Sequence, residues 1–376
     1  MKVKITLMIL VFSIFSCKTQ TDQKTQAKTN KEDATSGATK IVNILHYPQE
    51  THLANIKQLT FGGDNAEAYW SFDGTKLVFQ ATNKEWGLGC DQIFTMDLND
   101  DLSKGSIPQM VSTGLGRTTC SYFLPGNKTI IYSSTHLGDE ACPPAPKKED
   151  HGGKYVWPVY KTFDIFTADT KGNQLKQLTH TPGYDAEPTV SPKGDKIVFT
   201  STRSGDLELF TMNIDGTDVK QITHELGYDG GAFFSPDGSK LIFRSSRPKT
   251  EKDIKEYKDL LSQGLVMPTN MELYVCNVDG SDLIKITNLG GANWAPFFHP
   301  NGKKVLFSSN HHKEKHDGFN LFMVNLDGSG LKQITFDGVF DAFPMFSPDG
   351  TKLVFSSNRN NNGTHDTNLF VADWVE

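Results

Sequence analysis

The sequence predicts an all-β fold, a six-bladed β-propeller of four-stranded antiparallel blades, and three observations carry that expectation. A tight-turn motif recurs six times along the chain. Each copy is followed by an apolar strand of the same kind, and the two ends of the chain supply complementary parts of one blade. The composition agrees, since 33 Gly and 25 Phe in 376 residues suit many short strands and turns. With 37% hydrophobic and 22% charged residues the chain reads as globular, neither a membrane bundle nor a disordered polymer. A balance of 38 basic and 44 acidic residues, net charge −6, argues against a protein built to hold nucleic acid, which would carry a basic stripe.

In chain order the first element is a targeting segment. Lys2 and Lys4 open it, and Ile5 to Phe15 is an apolar run too short to span a bilayer but suited to a signal-peptide core. The run ends in Ile14-Phe15-Ser16-Cys17, which resembles a bacterial lipobox. That resemblance implies cleavage before Cys17 and lipid on Cys17, with Lys18 pointing to the outer membrane; an ordinary secretory signal with a chance cysteine is the alternative. Residues 18–40 are polar and rich in Thr, Gln, Lys and Ala, cannot bury enough apolar area to fold, and are expected to be a flexible tether. The expected domains are therefore 1–17 signal peptide, 18–40 tether and 41–376 propeller. An exported chain permits disulfides. One bridge is expected among Cys90, Cys120 and Cys142, whose pairing stays open, while Cys276 sits in an apolar strand as a buried thiol.

The repeat begins with the turn. Ser71-Phe72-Asp73-Gly74, Ser191-Pro192-Lys193-Gly194, Ser235-Pro236-Asp237-Gly238 and Ser347-Pro348-Asp349-Gly350 are clear copies, and Leu124-Pro125-Gly126-Asn127 and His299-Pro300-Asn301-Gly302 are variants. Pro sets φ and Gly supplies the positive φ that such turns need. The strand after each turn is apolar on successive residues, as in Ile197-Val198-Phe199 and Leu353-Val354-Phe355, so both of its faces are covered. A third strand follows (Leu209-Phe210, Leu321-Phe322), then an Asp-Gly turn. The fourth strand, such as Lys220-Gln221-Ile222-Thr223, alternates polar and apolar and belongs at an outer, half-wet edge. Small sheets covered on both faces and repeated in a row stack radially. The chain ends on the third strand of blade six, Asn368 to Trp374, and the missing outer strand is Lys57-Gln58-Leu59-Thr60, so the two termini close the ring.

Leu-Thr, Ser-Pro-Asp-Gly, an apolar strand running into Ser201-Thr202-Arg203, then Asp-Gly: this succession resembles the TolB-type propeller repeat of bacterial envelope proteins, over about residues 56–376. The resemblance implies the propeller and an envelope location. TolB itself has a sizeable N-terminal α/β domain, whereas only residues 18–56 separate Cys17 from the first strand here.

Down-up-down-up strands put all the short turns at one end and every long insertion at the other. The insertions are roughly residues 136–162 in blade two, 247–270 in blade four and 311–319 in blade five. Long loops on one face of a rigid scaffold are where binding concentrates. The blade-four insertion predicts a helix that opens at Thr250, carries Ile254, Tyr257 and Leu261 on one face and ends at Gly264; it either packs on the blade below or covers the channel mouth. Two rings count out from the repeat. Six residues before each turn lie Asn65, Thr118, Asp185, Asp229, Asn293 and Asp341, with Glu67 and Glu187 two residues on. These carboxylates and amides either bind a cation or a basic peptide group at the channel mouth or hydrogen-bond the local turns. Four residues after the strand-two aromatic lie Asn83, His136, Arg203, Arg247, His311 and Arg359, which either recognise an anionic or peptide terminus or pair with the first ring. Tyr184, Tyr228, Trp294 and Phe340 would add apolar contact.

For chemistry the sequence offers less. It has no Gly-x-Ser-x-Gly elbow, no His-Glu-x-x-His helix and no phosphate-cradling Gly loop. His311-His312-Lys313-Glu314-Lys315-His316, with His299 in the same blade, suits a transition metal, and pectin-fragment lyases that hold manganese through histidines resemble this fold. The expected function is a lipid-anchored, monomeric envelope protein that binds a peptide, protein or glycan through its long-loop face without a resident cofactor. Calcium at the channel mouth would fit that binding module; the alternative is a metal-assisted lyase or hydrolase acting on envelope polysaccharide or peptide, with a transition metal at the channel mouth and His299, His311 or His312.

Overall fold

The computed structural model describes residues 44–314 and 317–376. The segment expected to be signal peptide and tether, with Cys17, and Lys315 and His316 lie outside the described residues. Six four-stranded antiparallel sheets follow one another around a ring. Blade three shows the plan: the innermost strand Asp185–Val190, then Lys196–Ser201, then Glu208–Asn213, and an outer pair Lys220–Gln221. In blade six the outer strand is Leu53–Gln58, from the start of the propeller, paired antiparallel with Asn368–Trp374 (Lys57 opposite Val371, Gln58 opposite Phe370). Trp70 of blade one donates its indole N–H to the Met345 carbonyl of blade six at 3.1 Å, so the ring closes as the sequence predicts.

Each sequence motif has a local cause. In the turns, the serine hydroxyl donates to the aspartate two residues on and accepts the backbone N–H that begins strand two: Ser235 to Asp237 at 2.6 Å, and Lys240 N to Ser235 Oγ at 2.9 Å. The repeated threonine explains a difference from expectation. The outer strands of blades two to five contribute only two residues each to their ladders. Beyond them the threonine hydroxyl takes over, accepting the backbone N–H of strand three (Leu209 N to Thr223 Oγ1 at 2.8 Å, Leu321 N to Thr335 Oγ1 at 2.9 Å). A side chain thus ends the strand where the blade narrows, and no orphan donor is left.

Between strands two and three every blade carries one aromatic pair, for example Phe199–Phe210 at 6.0 Å and Phe355–Phe370 at 5.8 Å between ring centroids. The strand-two member is buried in all six blades. Burying such a ring contributes roughly 1.5–3 kcal/mol, and six of them form the spokes of the wheel.

The innermost strands are not regular. Each is bulged at the same place, with the register slipping after its second or third residue. The bulged residue has positive φ in every blade: Glu67, Cys120, Glu187, Gly231, Ala295 and Phe343. A bulge re-aims a side chain, and these six face the central channel.

The insertions converge. Helix α1, Glu251–Ser262, is capped by Thr250, whose hydroxyl accepts the Asp253 N–H at 3.1 Å, and it buries Tyr257 and Leu260. Tyr257 donates to Asp206 of blade three. After the helix, Leu265–Val266 pairs antiparallel with Trp157–Pro158 from the blade-two insertion. The helix therefore packs on the blades, and it is the strand behind it, not the helix, that reaches the channel mouth. A Cys90–Cys142 disulfide, Cα atoms 5.9 Å apart, ties the root of the blade-two insertion to blade one, leaving Cys120 and Cys276 as buried thiols.

Candidate functional site: a capped chamber at the channel mouth

The two rings counted from sequence meet each other. Asp185 pairs with Arg203 at 2.8 Å, Asp229 takes a two-pronged pair from Arg247 at 2.6 and 2.8 Å, and Asp341 accepts from Arg359 at 3.0 and 3.1 Å and from the Asn320 amide at 3.1 Å. Arg203 and Arg359 also lie over the aromatic pairs of their blades, and His136 and His311 sit on the aromatics of theirs. Asn65, Thr118 and Asn293 bond to backbone carbonyls of neighbouring turns. Asn83 caps a short 3-10 turn. All six residues of the first ring are buried, and of these six Thr118 lines the channel chamber. The rings brace the blade ends; they do not converge on an open mouth. Of the four aromatics expected near the first ring, Tyr184, Tyr228 and Trp294 line the chamber and Phe340 lies outside it.

The histidines do not converge either. His299 sits in the turn that precedes strand Lys304–Ser309, and His311 and His312 follow that strand, so the strand holds them at opposite ends of the blade. His299 packs on Phe346 and Trp374, while His312 bonds Asn320 at 3.0 Å. Among the described residues no group of three or more His, Cys, Asp or Glu side chains is arranged to hold a metal ion.

What the cap encloses is a different set. Under the Trp157–Val266 ribbon lies a chamber of about 440 Å³. Its floor is the column of bulged residues, polar over blades one to three (Glu67, Cys120, Glu187) and apolar over blades five and six (Ala295, Phe343). Blade four contributes Gly231 and, beside it, Arg244. A Cβ at position 231 would stand 1.8 Å from the Arg244 guanidinium, so glycine opens the passage through which arginine reaches the channel. Arg244 pairs there with Glu187 and lies under two rings, Trp157 of the cap at 5.5 Å and Tyr228 at 5.0 Å. Glu187 also accepts from Thr200 at 2.6 Å and from the Gly231 N–H at 2.9 Å. A second pair, Arg117 with Asp91 at 2.6 Å, closes the blade-one side.

The electrostatics split the two glutamates. Burial opposes ionisation of Glu187, but Arg244 and the hydrogen bonds outweigh it and hold the carboxyl below its usual range. Glu67 has no guanidinium of its own: burial first, with the charge of Glu187 alongside, raises it to about 7 against a hydrogen bond from the Cys120 thiol. Its Oε2 is buried and has no hydrogen-bond partner. Burial, with Glu67 and Glu187 alongside, pushes the Cys120 thiol up, so it stays protonated and is not poised as a nucleophile. As a metal site the chamber fits poorly, because Glu187 is committed to Arg244, Thr200 and a backbone amide, and a hard cation wants six or more oxygens.

Sequence reasoning singled out Glu67 and Glu187 and missed Arg244, Gly231, Cys120 and Trp157. The signal for Arg244 was present: aligned on the repeat, its position holds Gln80, Ser133, Thr200, Ser308 and Ser356, and one arginine interrupts a column of small or neutral polar residues.

Comparison with known proteins places the fold. The family model described as the TolB beta propeller domain matches residues 159–264 and 265–365, more than half of the chain. Among solved structures, one assigned as TolB from Agrobacterium tumefaciens superposes with a TM-score of 0.54 and 21% identity, over 84% of this chain and 91% of that one. TolB from Acinetobacter baumannii gives 0.49 and 17% over 84% of this chain and 64% of that one. Hydrazine synthase of Kuenenia stuttgartiensis gives 0.51 and 16% over 72% of this chain and 38% of that one. None of the curated proteins matches. At these identities the first and third likenesses speak for a shared fold alone, and the family match over more than half of its length shows that the chain belongs to the TolB β-propeller family.

Proposed function

We propose that this chain is a lipid-anchored binding protein of the cell envelope, which seats a peptide segment of a protein partner in the capped chamber at the long-loop end of its propeller. The observation that carries the reading is the cross-blade ribbon. The insertions of blades two and four meet over the channel and roof a chamber of about 440 Å³, a size in the range of ligand pockets. Its walls combine aromatic rings with a few placed charges, the mixture that binds amphipathic segments. Envelope location and the anchor rest on residues 1–40, with the basic start, the apolar run and Cys17. The family supports the same location. No helix among the described residues is long and apolar enough to cross a membrane. The enzyme alternative has no comparable observation behind it: the chamber thiol is held protonated, and His299 lies at the far end of its blade from His311 and His312.

Crosslinking capture of envelope proteins tests the reading. Trp157→Ala removes the cap residue that lies on Arg244 and stacks near Trp294 at 5.0 Å. A partner captured by the native chain is expected to fall at least tenfold with this variant and to persist with Asp215→Ala in a turn at the opposite end. Equal capture by native chain and Trp157→Ala overturns the proposal.

A further inference from the structure

We infer that the chamber holds one cationic group, a primary ammonium or a guanidinium, against Glu67; this rests on the chamber being the binding site. Three independent features converge. The first is a count of charge. The chamber is lined by three carboxylates, Glu67, Asp91 and Glu187, and by two guanidinium groups, Arg117 and Arg244. Both guanidinium groups are taken, Arg117 by Asp91 and Arg244 by Glu187. Above pH 7, where Glu67 gives up its proton, one negative charge is left over, and it belongs to Glu67.

The second feature is an unmet hydrogen bond. Glu67 Oε2 is buried without a donor among the described residues. A buried acceptor of this kind is costly unless something supplies the bond. The backbone does not hide the group: Glu67 is the bulged residue of its strand, at φ 53°, and the bulge turns it toward the channel. A non-glycine residue in that conformation is strained, and the same conformation recurs at Glu187 across the ring.

The third feature is the apolar part of the lining. Ala295 and Phe343 complete the ring of bulged residues, Phe343 on the blade next to Glu67, and Trp157 of the cap packs on Trp294. A carboxylate that shares a chamber with aromatic rings suits a cation carried on an apolar arm, because the ring faces attract the charge and the arm covers apolar surface. Arg244, between Trp157 and Tyr228, already shows that this chamber stabilises a guanidinium in such a setting. A lysine or arginine side chain, or the amino terminus of a peptide, has the required form. An anionic sugar or a peptide carboxylate would meet Glu67 and Glu187 unfavourably.

Calorimetric titration of the full chain at pH 8 decides it, using N-acetyl-lysine methylamide and its uncharged counterpart N-acetyl-norleucine methylamide. The lysine probe is expected to bind at least tenfold more tightly than the norleucine probe. Glu67→Gln, with folding verified by its melting transition, should erase that preference and leave the norleucine probe unchanged. Equal binding of the two probes, no binding of either, or an undiminished preference in Glu67→Gln overturns the inference. The outcomes separate from those above. Capture that depends on Trp157 without a preference for the lysine probe keeps the peptide reading and discards the cation. A preference that depends on Glu67, with capture indifferent to Trp157, does the reverse.

Discussion

At the turn end of the propeller, Ser71, Ser235 and Ser347 each donate to the aspartate two residues on at the same 2.6 Å. At the long-loop end the equivalent comparison gives no single answer: the bulged column reads Glu, Cys, Glu, Gly, Ala, Phe, and the braces above it are Arg–Asp pairs in three blades and histidine, asparagine or threonine contacts in the others. Local backbone geometry constrains the turns, and one solution serves these three blades, with Ser191 donating instead to Asp195 in blade three and Leu124 and His299 replacing the serine in blades two and five. At the loop end each blade also meets the insertions of its neighbours, and the sixfold pattern breaks there. Asymmetry within a repeat protein therefore points to the end that does more than hold the ring together.

The largest test of this contrast is at Arg359. Its guanidinium is fully buried between Asp341 of its own blade and Glu50 of the N-terminal segment, at 2.9 to 3.1 Å. Arg359→Ala leaves two buried carboxylates without their cation and is expected to destabilise the fold by about 3–5 kcal/mol, read as a fall in the denaturant midpoint. A change under about 1 kcal/mol would show that the Glu50 contact plays no part in closing the ring. Replacing Glu50 with Gln should cost less, because Asp341 remains on the arginine.

Glu50 also shows where the sequence stops being readable. The blades could be read from it because each strand and turn is specified by residues within about ten positions, and the specification repeats. Both rings were countable for the same reason. That Asp229 pairs with Arg247 follows from the pleat, since Asp229 and Ser245 are opposite partners and Arg247 lies two residues further. Glu50 joins Arg359 across 309 residues, and no repeat predicts it. Arg244 was hidden for another reason: a strand position covered on both faces reads as core, and only the absence of a side chain at Gly231 turns it into a channel residue. The ribbon between the insertions joins Trp157 to Val266, two segments that match no repeat and whose pairing appears only once the blades are in place.

A mid-sized effect should appear with pH at Glu67. In the native chain this carboxyl keeps its proton to about 7, whereas in the unfolded chain it gives it up near the ordinary glutamate value of 4.5. The native state thus binds the proton more tightly. The stabilisation is fully present below pH 4.5 and is lost as pH rises through 7. A shift of this size converts to at most about 3 kcal/mol, and water in the chamber reduces it to about 1–2 kcal/mol. Glu67→Gln carries no such proton, so its melting temperature should fall less than that of the native chain between pH 5 and pH 8. Parallel curves for the two proteins would place Glu67 in contact with bulk water.

The smallest effect belongs to the turn end, and it sharpens the comparison from the other side. Asp349 accepts from Ser347 at 2.6 Å and from the Thr351 N–H at 3.0 Å, bonds that draw its carboxyl below the usual range. It is exposed, so water replaces much of what is lost. Asp349→Ala is expected to cost about 0.5–1.5 kcal/mol, measured by the same denaturant midpoint. Blade five already carries Asn301 at this position, whose Oδ1 accepts the Lys303 N–H at 2.9 Å, so Asp349→Asn should restore most of the loss. If the turns act alike because they share one backbone solution, the same pair of substitutions at Asp237 should give the same two numbers. A difference between blades greater than about 1 kcal/mol would mean that the turn end, too, is shaped by something beyond its own geometry.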